Sequence, residues 1–333
     1  MTAQPRRPNL AVSIVAFHSS LNLLGGTLEA LAAQVSPPAS VLILVNGDTD
    51  GSESKAVQEL CRSSSLDVPV SVQRAVDNVG FAGGHNRGCA ALFAAGADAV
   101  VVLNPDLALD PEALGVLSER CRDRPDALCG PLLCLADPVS LQSEGVVDTA
   151  GIRWTCGGRH LDVAQGCPVP PAGSRPRLVA GISGACLVVP RRAYDRIVEL
   201  SGEFFDEDFI AYREDAELGF RAALLGVESW LIPEATGRHA RRLRGTSREV
   251  SAWVNRLSVR NRFLIAAKYG RDRPGGLFGA LLRDLVVLAG VAGRERSSWP
   301  GVREAWLLRS RMRAKGNRVR RVAVISPKRA AAR

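Results

Sequence analysis

The sequence contains no CxxC pair; its eight cysteines (Cys61, Cys89, Cys121, Cys129, Cys134, Cys156, Cys167 and Cys186) are scattered along the chain. Zinc ribbons and dithiol redox sites need closely spaced thiols, so both are excluded and reduced cytosolic thiols are the expectation. The N-terminus, Met1 to Pro8, is short, polar and basic rather than laid out as a secretory signal, which points to the cytoplasm. There is no internal repeat and no GxGxxG, so a repeat array and a dinucleotide-binding crossover are not supported. The apolar run from Leu277 to Gly293 is broken by Arg283-Asp284, leaving it too short and too charged to span a bilayer. It suits an interfacial helix, or one packed on the body.

What is present begins with size. A chain of 333 residues with 46% hydrophobic content buries a full core, giving one large domain with an appendage. Charge is unevenly placed. Arg238 to Arg333 carries 25 Lys and Arg against 5 Asp and Glu, a net of +20, while the remainder carries 18 against 29. An acidic body with a basic C-terminal third suits contact with anionic lipid, polyanionic glycan intermediates or nucleic acid, and equally a set of solvated helix faces with a disordered tail.

Short apolar runs alternate with helical patterns through the first half, the signature of parallel βαβ architecture and an α/β fold. Strands are predicted at Leu10 to Phe17, Val41 to Val45, Val68 to Val72 and Val100 to Leu103. Helices are predicted at Leu21 to Gln34, Ala82 to Ala95 (rich in small residues that allow close packing) and Pro111 to Cys121, with Asp110 as N-cap. Ser140 to Pro176 reads as an irregular hairpin or flap, turning at Cys156-Gly157-Gly158. Strand character returns at Val179 to Val189, and helices follow at Arg191 to Leu200 and Arg213 to Leu225, the latter stopped by Gly226. After a last strand at Glu228 to Ile232 and beyond Arg238 the pattern is mostly helical.

Four segments carry candidate chemistry. Asn78 to Gly88 (NVGFAGGHNRG) follows a strand and removes Cβ atoms where backbone turns sharply or approaches a ligand. Asp106, in Leu103-Asn104-Pro105-Asp106, stands at a strand's C-terminal end, where open sheets bind ligands; it fits either a turn cap or a ligand for Mg²⁺ or Mn²⁺. Phe204 to Arg221 (FFDEDFIAYREDAELGFR) sets acids among aromatics at a helix start, compatible with dipole-favoured acids or with a base of raised pKa. His239 lies among arginines, as a surface residue, a phosphate contact or part of a metal site at the strand ends.

In this order the segments resemble family 2 glycosyltransferases, the rhamnosyltransferase-like branch with a GT-A fold. The likeness rests on Val12-Ser13-Ile14-Val15, Asn46 to Ser52 (NGDTDGS), NVGFAGGHNRG, the LNPD run ending at Asp106, Ser183-Gly184-Ala185 and FFDEDFIAYREDAELGFR. It runs from Val12 to about His239, and more weakly through Arg260-Asn261-Arg262 and Lys268-Tyr269. The resemblance implies a domain over 8–240 with a Rossmann-like, mostly parallel sheet, a basic helical region over 241–315, and a disordered basic tail over 316–333. It implies that Val15, Phe17, Asn46, Asp48, Asn78, Gly80, Phe81, Asn86, Asn104 and Gly184 bind the nucleotide sugar. Asp106 and His239 would hold a divalent metal, Asp215 would be the general base with Glu214 beside it, and Arg238 or Arg241 would touch phosphate oxygens. Two departures stand out: Val45 replaces the usual Asp, so that a contact to the base or ribose is either missing or supplied by Asp48, and His85 replaces a more typical Asn, with a consequence for donor preference.

The expected function is therefore inverting, metal-dependent transfer of a sugar, L-rhamnose from dTDP-rhamnose, to a hydroxyl of a glycan or lipid-linked acceptor in cell-surface polysaccharide synthesis. The alternatives are a related transferase using a UDP- or GDP-sugar and a non-catalytic nucleotide-sugar-binding protein. Nucleic acid is not an expected partner, because the basic third shows no groove-reading or stacking motif. That third is instead expected to dock the cytoplasmic enzyme on the anionic inner face of a membrane.

Overall fold

The computed structural model describes residues 8–171, 173–241 and 248–332. β1 (Leu10–Ala16) is buried at every position, as a strand covered on both faces must be. It leads through Ser20, whose side chain caps the first turn, into α1 (Leu21–Ala32). β2 (Ser40–Asn46), α2 (Ser52–Ser63), β3 (Val70–Ala75), α3 (Gly80–Ala94) and β4 (Ala99–Leu103) complete a parallel half-sheet in which β1 pairs with both β2 and β4. The small residues of α3 do let it lie close: a Cβ on Gly84 would sit 2.7 Å from Val15.

Beyond β4 the sheet becomes mixed. β5 (Leu107–Leu109), α4 (Ala113–Asp123) and β6 (Leu128–Ala136) are followed by β7 (Ser143–Thr149) and the hairpin of β8 (Ile152–Trp154) and β9 (His160–Asp162). Then come β10 (Arg177–Leu178), β11 (Cys186–Pro190), α5 (Arg191–Ser201), α6 (Glu214–Leu224) and β12 (Ser229–His239). The strand order is β10-β12-β6-β11-β4-β1-β2-β3, with β5 on β12 and β7 on β6. β11 runs antiparallel to β4 and β6. β6 contains Gly130 and Pro131, which obscure it in the sequence; its register with β12 shifts between Ile232 and Thr236, next to Pro131, where a ladder donor is missing. The Asp110 carboxylate meets Thr236 rather than capping α4.

The basic third is helical: α7 (Arg248–Tyr269), α8 (Leu277–Gly293), α9 (Trp299–Val322) and α10 (Pro327–Ala331). The expected disordered tail over 316–333 is not what forms. α9 continues through it, Gly316 packs directly on the Lys268 backbone, and Val319 and Ala330 are buried. These residues share a core with Phe209, Phe220 and Leu224, so the helices are joined to the sheet-bearing body by apolar packing. Among the described residues no helix is long and apolar enough to cross a membrane.

Candidate active site

The C-terminal ends of β1, β2 and β4 open on one cleft of about 270 Å³, the position open α/β sheets reserve for ligands. Val15 and Phe17 come from the end of β1, Ser19, Ser20 and Leu23 from the start of α1, and Asn46 from the end of β2. Asn78, Gly80 and Phe81 enter at the start of α3, and Asn104, Pro105 and Asp106 at the turn after β4. Ile210, Ala211, Tyr212 and Trp253 close the remaining side.

One wall is tied by Asn46. Its amide donates to Asn78 Oδ1 at 2.8 Å and its Oδ1 accepts from the Val79 N–H at 2.9 Å; Asn78 Oδ1 also accepts from the Gly80 N–H at 2.9 Å. Gly80 has φ +74°, and a Cβ there would lie 2.5 Å from the Ile210 carbonyl oxygen, so the position requires glycine.

The floor brings together two residues more than a hundred positions apart. His239, the last residue of β12, stands beside Leu107 of β5, and the Ala240 N–H donates to the Asp106 carbonyl at 2.9 Å. His239 Nε2 is 3.4 Å from Asp106 Oδ1 and 3.2 Å from Asn104 Nδ2, while Nδ1 meets Asp148 Oδ2 at 2.8 Å. Burial opposes the charged imidazole, but hydrogen bonds to Asp106 and Asp148 prevail and raise its pKa to about 9. The donor set fits a divalent cation. Asp148 occupies Nδ1 and leaves Nε2 facing Asp106, the carboxylate–histidine support common at metal sites. Two ligands at right angles on Mg²⁺ stand about 3 Å apart, close to the spacing found. Among the described residues no group of three or more His, Cys, Asp or Glu surrounds a metal point, so diphosphate oxygens and water would supply the other ligands, as Mg²⁺ prefers.

The third element is a strained turn. Ile210, Tyr212 and Arg213 all have positive φ, 64°, 67° and 70°, immediately before α6. Asn261 of α7 secures it by donating to the carbonyls of Phe209, Ala211 and Tyr212 at 2.8, 2.8 and 2.6 Å, and Arg213 donates to the Ser258 carbonyl at 2.9 Å. The turn delivers two carboxylates. Asp215 is half-buried, accepting from the N–H groups of Gly184 at 3.1 Å and Ala216 at 2.7 Å. Burial raises its pKa against these donors. Glu214 is buried deeper, its Oε2 has no partner among the described residues, and burial followed by the Asp215 charge raises its pKa strongly.

The rest of the acidic segment turns away from the cleft. Lys268 Nζ meets Asp206 Oδ2 at 2.6 Å and Glu217 Oε1 at 2.7 Å, and Lys315 joins Asp206, Asp208 and Glu203. Arg221, 1% exposed, binds Glu217 and the Phe204 carbonyl.

A family model, glycosyltransferase-like family 2, matches residues 8–262. The chain belongs to glycosyltransferase family 2. It is 31% identical over 230 residues to an N-acetylglucosaminyl-diphospho-decaprenol L-rhamnosyltransferase of Mycobacterium tuberculosis, covering 64% of this chain and 70% of the relative. The fold resembles that of GalNAc-T7 with UDP, GalNAc and Mn²⁺, with TM-score 0.62 at 13% identity over 80% of this chain and 49% of that one. It also resembles a mannosyltransferase of Pyrobaculum calidifontis in complex with GDP-Man and Mn²⁺, with TM-score 0.52 at 16% identity over 96% and 86%. Both are glycosyltransferases, and the central sheet flanked by helices is the GT-A arrangement.

In this transferase the cleft gathers Val15, Phe17, Asn46, Asn78, Gly80, Phe81, Asn104 and Asp106, with His239 beneath. Three expected donor contacts, Asp48, Asn86 and Gly184, lie elsewhere. Asp48 accepts from the Gly51 N–H and from Ser54, whose hydroxyl foremost lowers its pKa, so its carboxylate is used by the turn into α2 and does not replace an acid at the buried Val45. Asn86 clamps the acidic segment through Phe205 and Glu207. Gly184 is outside the cleft lining, between Phe81 and Asp215. His85 is buried against Ser13 Oγ at 3.0 Å, and burial pushes its pKa down to about 3, so it acts beneath Phe81 as a neutral packing group. Arg238 pairs with Asp110, and Arg241 with Asp148 and Asp162, rather than standing ready for phosphate. Sequence reasoning missed Trp253 and Asp148, which have no local signal, and the supporting part of Asn261, whose Arg260-Asn261-Arg262 context was its one trace.

Proposed function

We propose that this transferase is an inverting, metal-dependent enzyme that moves L-rhamnose from dTDP-rhamnose to a hydroxyl of a lipid-linked glycan in cell-surface polysaccharide synthesis. The observation that carries the reading is the meeting of Asp106 and His239 at the floor of a cleft whose wall, through Phe81 and Gly184, adjoins Asp215. The sugar and the acceptor class are supported by the name of the mycobacterial relative, and the cation by the Mn²⁺ in the titles of both solved structures.

The chain's own groups divide the work. Asn46, Asn78 and Gly80 form the shelf for the nucleoside, and Asp106 with His239 would hold the ion. When bound, a divalent ion neutralises charge on the departing diphosphate as a Lewis acid. Asp215, made more basic by burial, takes the proton of the acceptor hydroxyl as its oxygen attacks the anomeric carbon. The new C–O bond forms on the face opposite the breaking bond to phosphate, so one displacement inverts the centre and leaves no covalent enzyme intermediate.

Nucleoside diphosphate release should be measured across dTDP-, UDP- and GDP-sugars with Mn²⁺ or Mg²⁺ and a lipid-acceptor extract. Metal-dependent release from dTDP-rhamnose, abolished by Asp215→Asn and Asp106→Ala, is expected. One observation favours a second donor: with Val45 in the core and Asp48 locked in its turn, neither position sends a carboxylate toward the base. Release from a UDP- or GDP-sugar alone would establish that alternative. Binding without turnover of any donor, unchanged in both variants, would overturn the enzyme reading in favour of a nucleotide-sugar-binding protein.

A further inference from the structure

Helix α8 is built inside out. Its buried residues are Ala280, Asp284 and Val291, and Asp284 accepts charged hydrogen bonds from Arg262 at 2.7 Å and Arg273 at 2.5 Å. Its outer face is apolar: Leu277, Phe278, Leu281, Leu282, Leu285 and Val286 are 41% to 83% exposed. A single exposed leucine needs no explanation, but six apolar side chains within three turns form a patch that does.

Cations precede, interrupt and follow the patch along the chain. Arg283 is exposed within the stretch, Arg271 is exposed in the segment before α8, and Arg294 and Arg296 are exposed just after it. From Gly270 onward the chain carries 16 basic residues against 4 acidic ones. A second copy seated on this face would bring like charge against like, whereas apolar side chains beside arginines match the layered chemistry of a lipid headgroup boundary. The helix is also rigidly tied to the catalytic body. Gly279 packs on the Cys156 carbonyl, Arg262 donates to the Gly157 carbonyl, and His160 on the same hairpin meets Arg213, two residues before Asp215.

We propose that the outer face of α8 inserts into the surface of an anionic phospholipid bilayer, its apolar side chains entering the acyl boundary and the four arginines meeting phosphates. The inference rests on the lipid-linked acceptor reading for its purpose, since it would hold the cleft at a fixed height above the lipid. It stands or falls on vesicle binding alone.

The test is co-sedimentation of the full chain, without donor, with vesicles of phosphatidylcholine or of phosphatidylglycerol mixed into phosphatidylcholine. Wild type should bind the mixed vesicles preferentially and less at high salt. Phe278→Ser, Leu282→Ser and Leu285→Ser together should lower partitioning about tenfold or more, and Arg283→Glu with Arg294→Glu should remove the preference for phosphatidylglycerol. Circular dichroism and donor turnover without vesicles should be unchanged in both, which keeps loss of docking distinct from loss of fold. Wild type that ignores the vesicles, or a triple variant that binds like wild type, overturns the proposal. So does a wild-type dimer that the triple variant dissolves while neither form binds vesicles, because the face then joins two copies. Vesicle binding with no turnover of any donor upholds the docking and rejects only the donor assignment.

Discussion

Asn261 lies fully buried on α7, and its amide nitrogen is within 2.8 Å of three carbonyl oxygens of the turn from Phe209 to Tyr212. Asn261→Ala removes all three contacts, which share the two N–H donors of one amide, and at about 1 kcal/mol net for each hydrogen bond the clamp is worth about 2 kcal/mol. The turn stores strain of comparable size, since each of its three left-handed non-glycine residues costs about 1 kcal/mol or more. With clamp and strain so nearly balanced, the turn should relax in the variant, moving Ala211 and Tyr212 in the cleft and Asp215 behind them. We predict a stability loss of about 2 kcal/mol in urea unfolding and a fall in kcat of about a hundredfold, the expected effect of an ångström-scale displacement of a catalytic group. The KM for donor should rise much less, because the Asn46–Asn78 wall and the Asp106–His239 floor do not depend on the turn. A variant within about 0.5 kcal/mol and twofold of wild type in these two measurements would refute the clamp.

Lys268→Met removes the cation shared by buried Asp206 and Glu217, and should cost roughly 3–5 kcal/mol in urea unfolding, with activity lost in parallel. Asp148→Asn withdraws the carboxylate that orients His239, and a metal titration of activity should show roughly 10–100-fold weaker Mn²⁺ activation with much of kcat recovered at saturation. The raised carboxylates fix a pH response. Asp215 and Glu214 hold protons in the folded chain that the unfolded chain has already released, so stability falls as pH rises from their unfolded values of about 4 to their raised folded values. The transfer rate should climb across the same window as Asp215 becomes a free base. Glu214→Gln should flatten the dependence of melting temperature on pH, and an unchanged slope would contradict the assignment.

The parallel half of the sheet was legible because fully buried strands write themselves as unbroken apolar runs, as in Leu10 to Phe17, and because glycines 84 and 88 announce a helix pressed on a sheet. β6 was not legible, since Gly130 and Pro131 resemble a loop until the bulge in β12 is seen to absorb them. α2 was missed because its mostly polar sequence buries only Ser54 and Val57. For the site, Asp106 and His239 could be paired through the family resemblance, and the structure does bring them together. Asp48 and Asn86 misled because an Asp after a strand and an Asn in a helix look alike whether they face a ligand or hold backbone. Only their partners, Ser54 and the Phe205 to Glu207 stretch, decide. The acidic segment misled in the opposite way: one run of carboxylates divides between a cleft and a buried ionic cluster, a division set by lysines far along the chain.

That ionic cluster also sets an order of assembly during synthesis. Strands β1 to β12 precede α7 in the chain and can pair as they emerge, forming all of the cleft but its Trp253 side early. Glu217 has Arg221 beside it within α6, whereas Asp206 waits for Lys268 and, much later, Lys315 to leave the ribosome. A nascent chain stopped before Lys315 would already hold Asn261 and Lys268 but would leave Glu203, Asp206 and Asp208 without the cation they share, so protease resistance of the Phe204 to Arg221 stretch should be complete only when α9 is.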